Sequence, residues 1–262
     1  MATIRLLCFL TLLAALGTSC TSTKSTTYFY NMQDTTVAAN GADFEYTLRK
    51  NDILSIQITS LSEDASKIFN TPNLISPASY SSGGVSQYSG YLINADGDVQ
   101  LPLIGNVRAA GVTKKKLKEN ITKIILDKKL LLEPIVNIRH LNFEVTILGD
   151  VGKPSVITVA NEQISLIKAL GMAGDITVYG NRDNILLIRE AEGKKTIRRI
   201  NLNDNRFLVS SPYYYLQPND VIYIESNKDR VASISRNRII LPSVLSALSI
   251  LALVADRIVF KK

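Results

Sequence analysis

The chain has 262 residues, of which 46% are hydrophobic, with a formal net charge of +7, one histidine and two cysteines. A single histidine leaves little material for a histidine-based catalytic triad or metal cluster, and no phosphate-loop, dinucleotide or paired-cysteine motif is present. We therefore predict that the protein is not an enzyme and that it has no catalytic residue, metal site or cofactor.

The positive charge is concentrated at the carboxyl-terminal end. From residue 227 onward seven basic residues stand against two acidic ones, a net charge of +5, and Arg5 adds one more, which leaves residues 21–226 at +1. A basic tail around an apolar stretch is typical of contact with anionic lipid head groups, and not of a groove for phosphates. We expect a membrane as partner and no nucleic acid.

The first residues predict export from the cytoplasm. Arg5 precedes the apolar run Leu6–Leu16, and the small residues Gly17-Thr18-Ser19 then lead to Cys20, so residues 1–19 fit a secretory signal peptide. A cysteine after small residues resembles the lipobox of bacterial lipoproteins, in which the cysteine is acylated with chains such as palmitate, although Gly17 stands where leucine is usual. We expect lipidation at Cys20; the alternative is an ordinary signal followed by an unrelated cysteine.

Residues 20–43 are rich in Ser, Thr, Asn and Ala, which predicts a tether between the lipid and the first folded element. Tyr28-Phe29-Tyr30 is its strong apolar group, and we expect it to pack on a domain of this chain or on a neighbour. Phe44–Leu48 and Ile53–Ile58 then predict a strand pair, and Ser60–Gly90 predicts a surface loop.

One turn sequence occurs twice. Leu48-Arg49-Lys50-Asn51-Asp52-Ile53 and Leu216-Gln217-Pro218-Asn219-Asp220-Val221 share their leucine and their Asn-Asp pair, and each precedes a strand-like run. Asparagine tolerates a left-handed turn, and aspartate can close such a turn by accepting from nearby amides. The repeat predicts two similarly built modules and not a catalytic site.

The interior of the first module is well specified. Tyr91–Val107 predicts a hairpin that turns at Asp96-Gly97, and Thr113 is placed to cap a helix over Lys114–Leu132. In the second half of the chain, Ile164–Ala173 predicts a helix and Ile185–Arg189 a strand. Asp150 needs no role there beyond surface solvation.

The run Asn94-Ala95-Asp96-Gly97-Asp98-Val99-Gln100-Leu101-Pro102-Leu103-Ile104-Gly105-Asn106-Val107, followed by Gly111-Val112-Thr113, resembles the polysaccharide biosynthesis/export domain of outer-membrane capsule and exopolysaccharide exporters. Asn51 stands where that family commonly has glycine. Phe143–Ser226 is similar to the soluble-ligand-binding (SLBB) β-grasp module that follows in the same family, with Ser155 and Asp175 at positions where glycine is usual. The resemblance implies an α+β fold with an export domain over 44–142 and a β-grasp domain over 143–226.

Residues 227–262 predict a membrane-spanning helix with basic flanks. A helix over Ile239–Phe260 would be about 33 Å long, enough for a thin bilayer. The polar residues of its sequence share one side, which predicts a pore lining or contacts between helices: Ser243, Ser246, Ser249 and Asp256. The membrane-flanking residues are Arg236, Arg238, Arg257, Lys261 and Lys262. The alternatives are a single anchor whose serines bond back to their own helix, and an amphipathic helix docked on a soluble protein.

These features and the resemblance together imply an outer-membrane, lipid-anchored protein with most of its chain in the periplasm. The chain would be one subunit of a ring homo-oligomer, often eightfold in the resembled family. Its terminal helices would line a passive, porin-like pore for capsular polysaccharide or exopolysaccharide. An inner-membrane polysaccharide copolymerase is the implied partner. The rival hypotheses are a carbohydrate-binding lipoprotein without a pore and a structural adaptor of the cell envelope.

Overall fold

A computed structural model describes residues 27–30, 32–34, 36, 45–71, 89–191 and 193–234, together with 240, 243–247, 249–250 and 254 near the carboxyl terminus. The described strands are β1 (Ile53–Thr59), β2 (Tyr91–Leu92), β3 (Asp98–Leu101), β4 (Gly105–Arg108), β5 (Ile135–His140), β6 (Glu144–Gly149), β7 (Ser155–Thr158), β8 (Gly180–Ala191), β9 (Lys194–Ile200) and β10 (Val221–Ser226). The described helices are α1 (Glu63–Lys67), α2 (Lys114–Asp127), α3 (Leu166–Met172), α4 (Arg206–Ser210) and α5 (Lys228–Ile234), with a 3-10 turn over Ile68–Asn70. This mixture confirms the α+β class.

The first module is built on a three-stranded antiparallel sheet in the order β2-β1-β5, with the β3–β4 hairpin beside it. Alternate residues of β1 are buried, and they share a core with the buried face of α2, whose members are Leu117, Ile121 and Ile125. Thr113 caps α2 as predicted, since its Oγ1 accepts from the Lys116 amide at 3.2 Å. The predicted turn at Asp96-Gly97 is confirmed by a φ of +91° at Gly97.

Three expectations for this module were wrong in part. The segment before β1 does not pair with it; Thr47 forms an isolated bridge with Thr113, while β1 pairs with β2 and β5. The helix ends at Asp127, five residues early, and Leu132 is 79% exposed. The segment expected to be a loop contains α1 and the 3-10 turn, and the 3-10 turn buries Phe69 in the core. Residues 72–88 of this segment lie outside the described residues.

The second module is a five-stranded sheet in the order β7-β6-β10-β8-β9 with α3 beside it. β6 and β10 are parallel, and the other neighbours are antiparallel. Numbered within the module, this order is second, first, fifth, third, fourth, which is the β-grasp arrangement. Helix α3 begins after Ser165, whose Oγ accepts from the Lys168 amide at 3.2 Å, so the predicted helix is confirmed with ends shortened by one or two residues.

The two modules share one apolar core. The Tyr46 and Phe143 rings meet edge to face at 5.7 Å between centroids, and Lys114 forms an ion pair with Glu162 at 2.8 Å. Tyr28 and Phe29 pack against this core too, whereas Tyr30 is 55% exposed, so the docking expected of the aromatic triplet is confirmed for its first two residues. Within the described residues no helix is both long enough and apolar enough to cross a bilayer.

Candidate functional site

The predicted pore-lining serines fall in the described fragments of the terminal segment. Ser243, Ser246 and Ser249 are helical and exposed, and the Ser249 hydroxyl donates to the Ser246 carbonyl at 2.8 Å. Asp256 and the other site residues predicted from the sequence lie outside the described residues: Cys20, Arg236, Arg238, Arg257, Lys261 and Lys262.

The large apolar side chains described in the terminal segment are also exposed. Their exposed fractions run from 44% at Ile240 to 61% at Ile250, with Val244, Leu245 and Val254 between these values. Serine and aliphatic residues of this segment are thus both accessible in a single subunit. Exposed apolar surface of this kind is typical of a contact with lipid or with another protein chain.

An ion pair between the half-exposed Arg230 and the buried Asp150 fixes the helix that precedes the terminal segment. Arg230 on α5 pairs through Nη1 with Oδ1 of Asp150, a carboxylate with no exposed side-chain surface, which also accepts from Thr177 Oγ1 at 2.8 Å. Burial by itself raises the pKa of Asp150, but hydrogen bonds from Ser226 and Thr177 and the charge of Arg230 outweigh it, so the pKa lies below its ordinary value. The carboxylate therefore stays charged and holds α5 on the second module.

The expectation that Asp150 is a solvated surface residue was wrong. Its amide donates to the Ile224 carbonyl at 3.0 Å, so the residue continues the β6–β10 pairing into the interior and is not free to face water. The sequence offered one signal for this role. Asp150 directly follows the apolar strand β6, where a buried carboxylate requires a cationic partner.

The two repeated turns have the same geometry. Asn51 and Asn219 both adopt left-handed backbone, with φ of +70° and +65°. In each turn the aspartate Oδ2 accepts from the amide three residues earlier at 2.8 Å, from Arg49 to Asp52 and from Gln217 to Asp220. The prediction of two similarly built turns is confirmed, and Asn51 adopts the left-handed backbone expected of the glycine that is usual at this position.

The repeated turns also touch one another. Arg49 in the first turn donates from Nη1 to the Pro218 carbonyl at 3.0 Å and from Nη2 to Gln217 Oε1 at 2.7 Å in the second turn. This contact joins the two modules through polar groups placed beside the shared core. The turns thus serve both as strand starts and as the junction between the modules.

The buried aspartates of the two repeated turns have different partners. Asp220 is bound in a bidentate manner by Arg189, at 2.9 Å from Nε and 2.7 Å from Nη2. Asp52 faces His140, whose Nε2 lies 3.6 Å from its Oδ1. Burial is the main cause that raises the pKa of Asp52 to about 6, and burial also lowers the pKa of His140 to about 4.

The hydrogen bonds of His140 show which ring nitrogen carries the proton in the neutral imidazole. Nε2 lies 2.8 Å from Asn142 Oδ1, which can only accept, and this oxygen also accepts from the Ile53 amide at 2.8 Å. Nε2 therefore carries the proton, and Nδ1 accepts from the Tyr46 hydroxyl at 3.1 Å. The histidine is a satisfied core group, so it does not offer a free base to a substrate.

Tyr28 fixes the end of the tether on the second module. Its hydroxyl donates to Asp175 Oδ1, and the Arg182 guanidinium lies over its ring at 5.1 Å. Burial, with the Asp175 carboxylate adding to it, raises the pKa of Tyr28 to about 12. Asp175 has a φ of +65°, so it adopts the backbone expected of the glycine it replaces.

Metal and catalytic chemistry receive no support from the described part of the chain. No group of three or more His, Cys, Asp or Glu side chains able to hold a metal ion occurs among the described residues. The grooves found there are open, such as the one of about 380 Å³ lined by Thr59, Leu61, Glu133 and Ile135. The fold and its polar contacts define a two-module α+β protein.

Residues 40–141 match the family described as polysaccharide biosynthesis/export protein, and residues 144–224 match the SLBB domain. The chain belongs to the polysaccharide biosynthesis/export family, as its sequence motifs predict. The family and the relatives below are export proteins and not enzymes, which agrees with the prediction that this chain is not an enzyme.

Two similar proteins carry the name EPS I polysaccharide export outer membrane protein EpsA. The one from Ralstonia nicotianae is 30% identical over 151 residues, which are 55% of this chain and 38% of the relative. The one from Ralstonia solanacearum is 27% identical over 158 residues, which are 55% of this chain and 39% of the relative. The chain thus spans about two fifths of the length of the curated relatives it matches.

Proposed function

We propose that the chain is a subunit of an outer-membrane channel for capsular polysaccharide or exopolysaccharide. The family match supports this, and so do the names of the two relatives, which place polysaccharide export and the outer membrane together. The subunits associate as a ring, and the terminal helices enclose a passive, hydrated path. An inner-membrane polysaccharide copolymerase delivers the polymer to the periplasmic face of the ring.

One observation carries the pore part of the proposal. The described terminal fragments expose serines and aliphatic side chains together, while Arg230 and Asp150 hold the preceding helix on the second module. A spanning helix keeps its polar side away from lipid, against copies of itself or around water. Ser243, Ser246 and Ser249, with Asp256, therefore face the lumen or a neighbouring helix, and the aliphatic side faces lipid.

The ends of the chain provide the attachment to the membrane in this proposal. Residues 1–19 are removed as a signal peptide, and Cys20 carries the acyl chains. Arg236 and Arg238 lie at one membrane boundary of the terminal helix, and Arg257, Lys261 and Lys262 lie at the other. The export domain over 44–142 and the SLBB domain over 143–226 remain in the periplasm.

The test replaces all three serines by leucine in a strain that lacks the chromosomal gene, and then measures secreted polymer. We expect at least a tenfold loss of secretion at normal levels of the protein in the outer membrane, because the leucine side chains would narrow the lumen and exclude water from it. The matched control changes Val244, Leu245 and Leu248 to isoleucine, which keeps the lipid-facing surface apolar and should leave secretion intact. Normal secretion with the three leucines would contradict the pore lining.

A second candidate is a lipoprotein that anchors in the membrane without forming a pore. The hydrogen bond from the Ser249 hydroxyl to the Ser246 carbonyl favours it, because serines that bond back to their own helix need no lumen. This candidate predicts normal polymer secretion with the triple leucine variant. The secretion test therefore separates the two.

A further inference from the structure

The tether and α5 both attach to one loop of the second module, residues 175–179, which we call the 175–179 loop. From the tether, Tyr28 donates its hydroxyl to Asp175 Oδ1. From the other side of the sequence, the Asn227 amide, just before α5, donates to the Tyr179 carbonyl at 2.6 Å. Segments from opposite ends of the chain thus meet at a single loop.

Further contacts tie the same loop to both segments. Arg182 is buried, lies over the Tyr28 ring at 5.1 Å, and donates from Nη1 to the Thr177 carbonyl at 3.3 Å. The Thr177 hydroxyl donates to Asp150 Oδ1 at 2.8 Å, and Arg230 of α5 binds the same oxygen. Because these bonds form one connected network, the tether and α5 are both held at the same end of the second module.

Both segments lead to the proposed membrane attachments over short stretches of chain. Cys20 is eight positions from Tyr28, and Ile239, where the predicted membrane helix begins, is five positions from Ile234 at the end of α5. An extended chain spans at most about 3.6 Å per residue, so these connections reach no further than about 29 Å and about 18 Å. Two short connections that start beside the 175–179 loop turn this end of the second module toward the bilayer.

Large apolar side chains are exposed at this end of the module. Met172, the last residue of α3, is 54% exposed, Val178 is 69% exposed and Tyr179 is 38% exposed. We call these three residues the apolar tip. Ile176 of the same loop is only 3% exposed, so the loop directs one apolar side chain into the core and two others toward the surface.

Exposed lysines lie next to the apolar tip. The Lys153 amide donates to the Ala173 carbonyl at the end of α3 at 2.7 Å, and Lys228 is the first residue of α5. Two exposed acidic residues, Asp175 and Asp229, offset these charges. Apolar contact, and not an excess of positive charge, must therefore supply most of the affinity of this surface for a partner.

We propose that the apolar tip enters the head-group region of the bilayer to which the chain is attached. Tyrosine is enriched at membrane–water interfaces, because its ring is apolar and its hydroxyl stays in water. Methionine and valine beside it bury apolar surface, and the lysines place ammonium groups near head-group phosphates. A ring about an axis normal to the membrane presents the same end of every subunit to lipid, so the contact fits any number of subunits. The proposal rests on the membrane attachment proposed above and adds the surface of the second module that lies against lipid.

The first test uses tryptophan as a lipid probe, because the chain contains none. Val178→Trp is compared with Ile197→Trp in the full chain, reconstituted in vesicles of phosphatidylethanolamine and phosphatidylglycerol with or without bromine on the acyl chains near the head groups. Ile197 is 58% exposed, and its partner Ile188 lies eight residues along β8 from Gly180, about 26 Å from the strand end that adjoins the loop. We expect bromine to quench the fluorescence of Val178→Trp at least twofold and to leave that of Ile197→Trp unchanged. Circular dichroism verifies that both variants are folded.

The outcomes separate this contact from the proposed channel. Unquenched Val178→Trp in protein that floats with the vesicles would overturn the lipid contact, whether a neighbouring subunit or the terminal segment covers the loop. Protein that does not float with the vesicles would overturn the proposed membrane attachment together with this inference. Quenched Val178→Trp in protein that never conducts supports the contact while the proposed pore fails.

The second test asks whether the tether orients the loop. Tyr28→Ala removes the hydroxyl bond to Asp175 and the ring contact with Arg182, and Tyr30→Ala, at a position that is 55% exposed in the same tether, is the control. Each is combined with Val178→Trp. We expect Tyr28→Ala to weaken the quenching by bromine about twofold and Tyr30→Ala to leave it unchanged. Equal quenching in the two would overturn the role of the tether in turning the 175–179 loop toward the bilayer.

Discussion

The two repeated turns have the same backbone conformation, but their aspartates lie in different electrostatic surroundings. In both, a left-handed asparagine precedes a buried aspartate that closes the turn. In the second module Arg189 neutralises that aspartate with two short hydrogen bonds, whereas in the first module Asp52 faces the neutral His140. The backbone of such a turn is therefore set locally, while the charge state of its aspartate depends on which strand lies beside it.

The largest effect should come from removing the cation in the second module. Arg189→Met leaves Asp220 buried and without its charge partner, which should lower the free energy of unfolding by about 3–5 kcal/mol. Urea unfolding of the full chain in detergent measures this. Lys67→Met is the control, because the Lys67–Asp64 pair is exposed and should contribute almost nothing. Equal losses in the two variants would contradict the role of burial.

In the first module the free energy of unfolding should instead depend on pH, and Asp52 and His140 change it in opposite directions. The pKa of Asp52 is raised from 3.8 to about 6, so its contribution to stability is complete below pH 3.8 and is lost as the pH rises through 6. The pKa of His140 is lowered from 6.5 to about 4, so its contribution is complete above pH 6.5 and is lost as the pH falls through 4. In the wild-type chain the two contributions largely cancel between pH 4 and 6.

Separate variants should reveal the two opposing slopes. Relative to wild type, His140→Gln should lose about 3 kcal/mol of stability between pH 4 and 7, because only the Asp52 contribution remains. Asp52→Asn should gain a similar amount over the same range. Denaturant unfolding at several pH values measures both, and slopes of the same sign in the two variants would rule out the opposed pair.

The smallest effect, and the one that should be equal in the two turns, concerns the asparagines. Alanine is strained in left-handed backbone, so Asn51→Ala and Asn219→Ala should each cost about 1 kcal/mol. Glycine at either position should be neutral to within a few tenths of a kcal/mol, because it adopts this backbone freely. Thermal unfolding of the four variants checks this, and a loss confined to one turn would mean that the turns are not equivalent.

The turns show which parts of the fold the sequence makes predictable. The repeated Leu-x-x-Asn-Asp motif predicts the local backbone, and the helix start at Thr113 and the turn at Gly97 are local in the same way. The partners of the aspartates are not local, since Arg189 and His140 lie on strands that only tertiary pairing brings close. Signals for them existed, because both stand at inward positions of alternating strands, where a polar side chain requires a buried partner.

The candidate site likewise has one part that the sequence predicts and one part that it does not. The serines of the terminal segment are visible as a pattern in the sequence, but the anchorage of the preceding helix by Arg230 and Asp150 is not. These residues are 80 positions apart, and their charges are correctly paired only after β6 and β10 have aligned. The outward position of Val156 and Ile197 could not be predicted either, because an outward valine or isoleucine looks like a core residue until the register of the sheet is known.

Conductance of the purified, full-length chain in planar lipid bilayers tests the proposed channel most directly. The account predicts stable conducting steps from wild-type protein, and steps that are strongly reduced when Ser243, Ser246 and Ser249 are all leucine. Assemblies that insert into the bilayer and never conduct would contradict the channel and favour the simple anchor.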